Sequence, residues 1–159
     1  MGVAGSGKTT IGPQLARALD LEFVEGDSLH PQANVKKMAA GIPLTDDDRR
    51  PWLIAIAHRL AEAKRAGTGL VVSCSALKRS YRDLLRSEGP ADVQFVFLKS
   101  SPTLIAERIV ARRGHFMPAS LVDSQFAALE EPTADEHVWV YDATRSPDEI
   151  VADVVRRAA

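Results

Sequence analysis

At 159 residues the chain has the size of one ordinary domain, with 45% apolar residues to build a core. Twenty basic against 21 acidic residues, a net charge of -1, exclude broad electrostatic capture of nucleic acid or of an anionic membrane; any polyanion must be bound locally. No apolar stretch is long enough to span a bilayer, and the single cysteine, Cys74, excludes an internal disulfide, so the expected setting is cytoplasmic.

The chain opens on Gly2-Val3-Ala4-Gly5-Ser6-Gly7-Lys8-Thr9, which fits the phosphate-loop pattern G-x-x-x-x-G-K-[ST]. Glycines in such a loop let the backbone wrap its N–H groups around phosphate oxygens. Lys8 would reach the β- and γ-phosphates of a nucleotide such as ATP, and the Thr9 hydroxyl would ligate Mg²⁺. Thr10 extends the candidate nucleotide site into the helix that follows, whose apolar stripe is Ile11, Leu15, Ala18 and Leu19.

Downstream, a short strand at Glu22–Glu25 ends in Gly26-Asp27, and residues 32–40 form a short helix closed by Gly41. Thr45 with Asp48 makes a capping box for a long helix reaching Ala66, with Pro51 tolerated in its first turn and Trp52, Ile56, Leu60 and Ala63 facing the core. Strands are predicted at 70–73 and 93–98, separated by a helix over 78–87. Ser101-Pro102 opens a helix running to Gly114; another spans 119–130, a last strand 137–141, and Ser146-Pro147 starts a terminal amphipathic helix.

This alternation predicts a single α/β domain over 1–159, with a parallel sheet between helical layers. A sheet of this kind places the strand that leads into the phosphate loop at its centre. Only Met1 precedes the loop, so the expectation is that the first strand is missing and that residues lie upstream of Met1.

Several residues could carry chemistry. Asp27 stands at the carboxyl end of a strand, where open α/β sheets bind ligands; it could accept the proton of an attacking hydroxyl, or simply cap the turn before Pro31. His30 could hydrogen-bond a polyol, or be merely solvated. Asp46, Asp47 and Asp48 read either as a metal cluster or, more naturally, as acids offsetting the positive end of the long helix. Lys78, Arg82 and Arg86 share one helix face, which is either solvated or recognises a carboxylate or phosphate. Arg108, Arg112 and Arg113 end a helix before Gly114, a pattern that fits the helix dipole and also a lid closing arginines over ATP.

Several blocks together resemble the gluconokinase family: GVAGSGKT at 2–9, GDSLHP at 26–31, PLTDDDRRPWL at 43–53, CSALK at 74–78, YRDLLR at 81–86 and RRGHF at 112–116. The first is shared by a whole superfamily; the others are far narrower. The resemblance implies a P-loop fold similar to shikimate kinase, with a lid at about 112–120 and a substrate-binding helical segment at about 27–50. It also implies a homodimer and ATP-dependent phosphorylation of D-gluconate at its 6-hydroxyl. On that basis Lys8, Asp27 and Arg112 are the catalytic candidates, and Gly2 to Thr10 with Arg108 and Arg112 bind nucleotide. Asp27, His30, Arg49, Lys78 and Arg82 contact substrate. The alternatives are a related kinase of shikimate or a nucleoside monophosphate, or a nucleotide-binding switch, for which the Asn-Lys-x-Asp signature is absent.

Overall fold

The computed structural model describes residues 1–111 and 119–159; Arg112, Arg113 and most of the expected lid lie outside them. Helices α1 (Lys8–Leu19), α2 (Gln32–Ala39), α3 (Asp46–Ala66), α4 (Arg79–Glu88), α5 (Pro102–Ala111), α6 (Ala119–Ala128) and α7 (Pro147–Ala158) alternate with strands β1 (Glu22–Glu25), β2 (Leu70–Ser73), β3 (Val96–Lys99) and β4 (Trp139–Asp142). Short 3₁₀ turns at Gly26–Leu29 and Ala134–Glu136 follow β1 and precede β4.

The strands pair in parallel as β1 with β2 and β3 with β4. Between these pairs runs the start of the chain. The Met1 nitrogen donates to the Val96 carbonyl at 2.5 Å, Leu98 N–H donates to the Met1 carbonyl at 3.0 Å, and Gly2 N–H donates to the Ser75 carbonyl at 3.1 Å. Met1 therefore joins the seam between β2 and β3, leading straight into the phosphate loop. Behind it the seam opens into a largely apolar cavity of about 380 Å³ lined by Val71, Val72, Phe95 and Val96. Among the described residues these backbone bonds link the two strand pairs across the seam.

Helices cover both faces. Trp52, Leu53, Ile56 and Ala57 of α3 pack with Tyr81 and Leu85 of α4 against Cys74 and Phe95. On the opposite face Ile11 and Leu15 of α1 meet Ile150 and Val154 of α7 over Leu98 and Tyr141. The stripe of α1 is rotated slightly from expectation, with Ala16 buried and Ala18 exposed. Thr45 and Asp48 form the predicted capping box on α3, each side chain bonding the other's backbone N–H. Two strands start later than predicted. Val93 N–H turns back to the Pro90 carbonyl, so β3 begins at Val96. His137 adopts φ 53°, which closes the 3₁₀ turn and delays β4 to Trp139.

The end of β1 admits no side chain at Gly26: a Cβ there would lie 2.0 Å from the Ser73 carbonyl oxygen. Gly26 N–H donates to Ser73 Oγ at 3.2 Å, and the Trp52 indole N–H donates to the Gly26 carbonyl at 2.7 Å. Elsewhere, Arg82 is wholly buried; its Nε and Nη2 donate to the Glu136 carboxylate at 2.5 and 2.9 Å, and its Nη1 to the Ala76 and Leu77 carbonyls.

Two stability predictions follow from these contacts. Gly26→Ala should cost roughly 1–3 kcal/mol or more in chemical denaturation, since backbone must yield; an unchanged midpoint would contradict the close approach. Glu136→Ala strands a buried guanidinium and should cost about 3–5 kcal/mol. Arg82 holds the Glu136 carboxyl below its ordinary value of 4.5, so this contribution is complete above that pH and is lost as pH falls through the lower folded value. Acid titration of stability should accordingly be steeper in the wild type than in the variant.

Candidate active site

The carboxyl ends of the strands gather the phosphate loop, Asp27 and the loop from Cys74 to Lys78 at one edge of the sheet. Gly2, Gly5 and Gly7 take φ of 144°, 78° and 107°, the left-handed half of the map that other residues avoid. At Gly2 a side chain would also strike the Leu98 carbonyl, 2.9 Å from the Cβ position. Hydrogen bonding within α1 begins with Thr10 and Ile11, which donate to the Gly7 carbonyl, and no acidic residue occupies the first turn. The positive end of the helix dipole thus faces the loop uncancelled by a carboxylate, the arrangement that receives phosphate.

Two cations shape the loop from inside. Lys8 Nζ donates to the Gly2 and Val3 carbonyls, both at 2.9 Å. Arg108 of α5 donates to the Gly5 and Ser6 carbonyls at 3.3 and 3.0 Å and to Ala143. Of the loop's amides, those of Gly2 and Ser6 donate to the Ser75 and Val3 carbonyls. Ser6 Oγ is buried with no hydrogen-bond partner among the described residues. A contact that sequence spacing did not indicate is Ala4 N–H donating to Gln125 Oε1 at 2.6 Å, which ties α6 to the loop across 121 residues.

Asp27 follows Gly26 in the 3₁₀ turn and is exposed. Its backbone carbonyl accepts from His30 N–H at 3.3 Å, and its carboxylate takes no hydrogen bond among the described residues. The buried Cys74 thiol lies within electrostatic reach of both Lys8 and Asp27; burial pushes it up to about 11, so this cysteine stays a thiol. His30 stacks on Trp52 with ring centroids 4.2 Å apart and planes 14° from parallel. Burial holds its imidazole below the usual histidine value, with Asp27 pulling it up and Arg49 pushing it down. These influences bring Asp27, His30 and Arg49 into one group.

Lys78 caps α4 and reaches Asp46, donating to both carboxylate oxygens at 2.9 and 3.0 Å, while the Tyr81 hydroxyl donates to the same group. The bonds from Tyr81 and Lys78 hold Asp46 below the ordinary carboxylate range. Asp48 is drawn to about 2, chiefly by Lys37, whose Nζ lies 2.8 Å away, and next by the Thr45 N–H. No group of three His, Cys, Asp or Glu side chains gathers as a metal site among the described residues. Asp48 caps α3 and pairs with Lys37, Asp46 pairs with Lys78, and Asp47 adds negative charge to the first turn of α3.

The shared face of Lys78, Arg82 and Arg86 does not act as one unit. Only Lys78 points toward the α2–α3 segment. Arg82 is fully buried on Glu136, so the expectation that it contacts substrate does not match its placement; Arg86 donates to the Glu136 carbonyl at 2.6 Å and lies over the Phe95 ring. Arg49 stays half-buried beside His30, with Nη1 on the Leu44 carbonyl at 2.6 Å. Arg112 lies outside the described residues.

A family model described as an AAA domain matches residues 1–132. Gluconokinase of Gluconobacter oxydans (strain 621H) is 49% identical over 156 residues, covering 98% of this chain and 87% of its own. The crystal structure of a gluconokinase from Sinorhizobium meliloti 1021 superposes with a TM-score of 0.88 at 49% identity, over 98% of this chain and 87% of that one. Shikimate kinase from Bacteroides thetaiotaomicron, at 18% identity and a TM-score of 0.69 over 99% of this chain and 95% of that one, shares the fold. Matched over nearly its whole length at half identity, with the loop and the Asp27 turn formed at one sheet edge, the chain belongs to the gluconokinase family.

Proposed function

We propose that the chain transfers the γ-phosphoryl group of ATP to the 6-hydroxyl of D-gluconate, giving 6-phospho-D-gluconate and ADP. The observation that carries this reading is the meeting, at one edge of the sheet in a member of this family, of the phosphate loop with Asp27, whose carboxylate takes no hydrogen bond among the described residues. Gly2 to Thr10 form the cradle for the nucleotide phosphates, with the Gly5 and Gly7 amides, which have no acceptor among the described residues, available to them, and Arg108 holds the Gly5 and Ser6 carbonyls away. Lys8 supplies charge to the transferring group. Thr9, exposed in the first turn of α1, fits a cation shared with phosphate oxygens rather than caged by protein carboxylates. Mg²⁺ held there would supply charge neutralisation for the nucleotide phosphates.

Asp27 orients the 6-hydroxyl and takes its proton as the oxygen bonds to the γ-phosphorus and the bridge to the β-phosphate breaks. Arg49, within the substrate segment, and Lys78, which reaches that segment at Asp46, are the cations for the gluconate carboxylate, and His30 meets its hydroxyls. Arg82 contributes by holding the loop that carries Lys78. Arg112 is proposed as a lid arginine on the sequence pattern alone. The single buried thiol supports a cytoplasmic setting, and family resemblance supports a homodimer.

ADP release should be rapid with gluconate and negligible with shikimate or nucleoside monophosphates; no activity on gluconate sinks the reading. Lys8→Ala should abolish transfer. Asp27→Asn should retain ATP affinity and lose roughly 10²- to 10⁴-fold in kcat, and near-wild-type turnover in that variant would remove Asp27 from the mechanism.

A further inference from the structure

Asn34 is a polar side chain of α2 that is only 3% exposed, and nothing in its local sequence explains its burial. Its Nδ2 lies 2.7 Å from the Asp48 carbonyl oxygen and 3.2 Å from His30 Nδ1. A carbonyl oxygen only accepts, so the first contact fixes this atom as the amide nitrogen. That nitrogen carries two hydrogens and no lone pair, so the second contact requires His30 Nδ1 to be the acceptor. The imidazole proton must then sit on Nε2. The ring is held in plane by Trp52, whose own N–H is anchored on the Gly26 carbonyl.

We propose that Asn34 is a positioning residue that fixes His30 as a neutral imidazole protonated on Nε2, a hydrogen-bond donor for a substrate hydroxyl, and prevents an ion pair between His30 and Asp27. The charged groups around the ring are Asp27 on the 3₁₀ turn, Arg49 on α3, and the mutually paired Lys37 of α2 and Asp48 of α3. Asp27 favours an imidazolium; Arg49 opposes it, and Asn34 opposes it through geometry, because a proton on Nδ1 would confront the amide hydrogens. A cationic His30 would compete for the carboxylate that has to accept the substrate's proton. Keeping the ring neutral leaves Asp27 available. This inference rests on the roles given above to Asp27 and His30.

The test has a readout that requires no substrate. Nitrogen-15 NMR of the ligand-free protein at neutral pH should show His30 neutral with the proton on Nε2; a proton on Nδ1, or a charged ring, overturns the proposal. Asn34→Asp exchanges the donor for an acceptor and should move the proton to Nδ1, raise the pH at which the ring charges, and shift the acidic limb of kcat/KM upward. The KM for gluconate should rise about tenfold, the worth of one hydrogen bond. A folded Asn34→Asp protein with unchanged tautomer, acidic limb and KM overturns the proposal. Should that variant not fold, Asn34→Ala, which only deletes the donor, should give a mixture of tautomers, and a retained single Nε2 form has the same overturning force. If the wild type fails to phosphorylate gluconate, the functional reading falls while the NMR result still decides the role of Asn34.

Discussion

The pairing of Arg82 with Glu136 is the contact on which the geometry of this sheet edge rests. A guanidinium removed from water must have its donors met, and here they are met by one carboxylate and by the carbonyls of Ala76 and Leu77. That gathers the loop after β2 onto the turn before β4, which belongs to the other strand pair. The same loop touches everything nearby: Ser75 accepts from Gly2, Leu77 accepts from Glu130 N–H at 2.9 Å, and Lys78 reaches Asp46. Ala76 meanwhile sits fully buried at φ 43°, a conformation that an alanine keeps only when its surroundings dictate it. The phosphate loop, the basic N-cap of α4 and the end of α6 are therefore held by one buried ion pair.

The charges of the site divide by how far they are already spent. Asp48 is committed to Lys37 and to capping α3, and Asp46 to Lys78 and Tyr81. These pairings brace the helical segment that stands across from the phosphate loop. Asp27 differs: exposed, it carries a carboxylate that takes no hydrogen bond among the described residues. A group meant to receive a proton from substrate has to remain unsatisfied until substrate arrives, whereas a group meant to brace a helix does not. The stacked His30 and Trp52 lie beside the first kind, and the capping box belongs to the second.

Local signals in the chain carried local features well. The capping box at Thr45 and Asp48 and the glycine loop ahead of α1 each depend on residues within a few positions, and each forms as expected; Pro51, expected in the first turn of α3, instead lies inside the helix, because α3 already starts at Asp46. Spacing also placed Lys78, Arg82 and Arg86 together on α4. It could not say what that face meets, because the partner Glu136 is 54 residues away and reaches Arg82 only through the pairing of β3 with β4. Asn34 was invisible for the same reason, its partners being a carbonyl 14 residues on and a ring whose tautomer is a matter of geometry. Gln125 joins the phosphate loop with no motif to announce it. The starts of β3 and β4 shifted because a turn at Val93 and a left-handed His137 use the backbone first.

The seam between β2 and β3 has a practical side. The Met1 nitrogen points into the sheet, bonded to Val96, and the apolar cavity of about 380 Å³ lies directly behind it. A substitution that fills this space, at Val72 or Val96, would therefore press on both strand pairs at once, below the edge of the sheet that carries the phosphate loop.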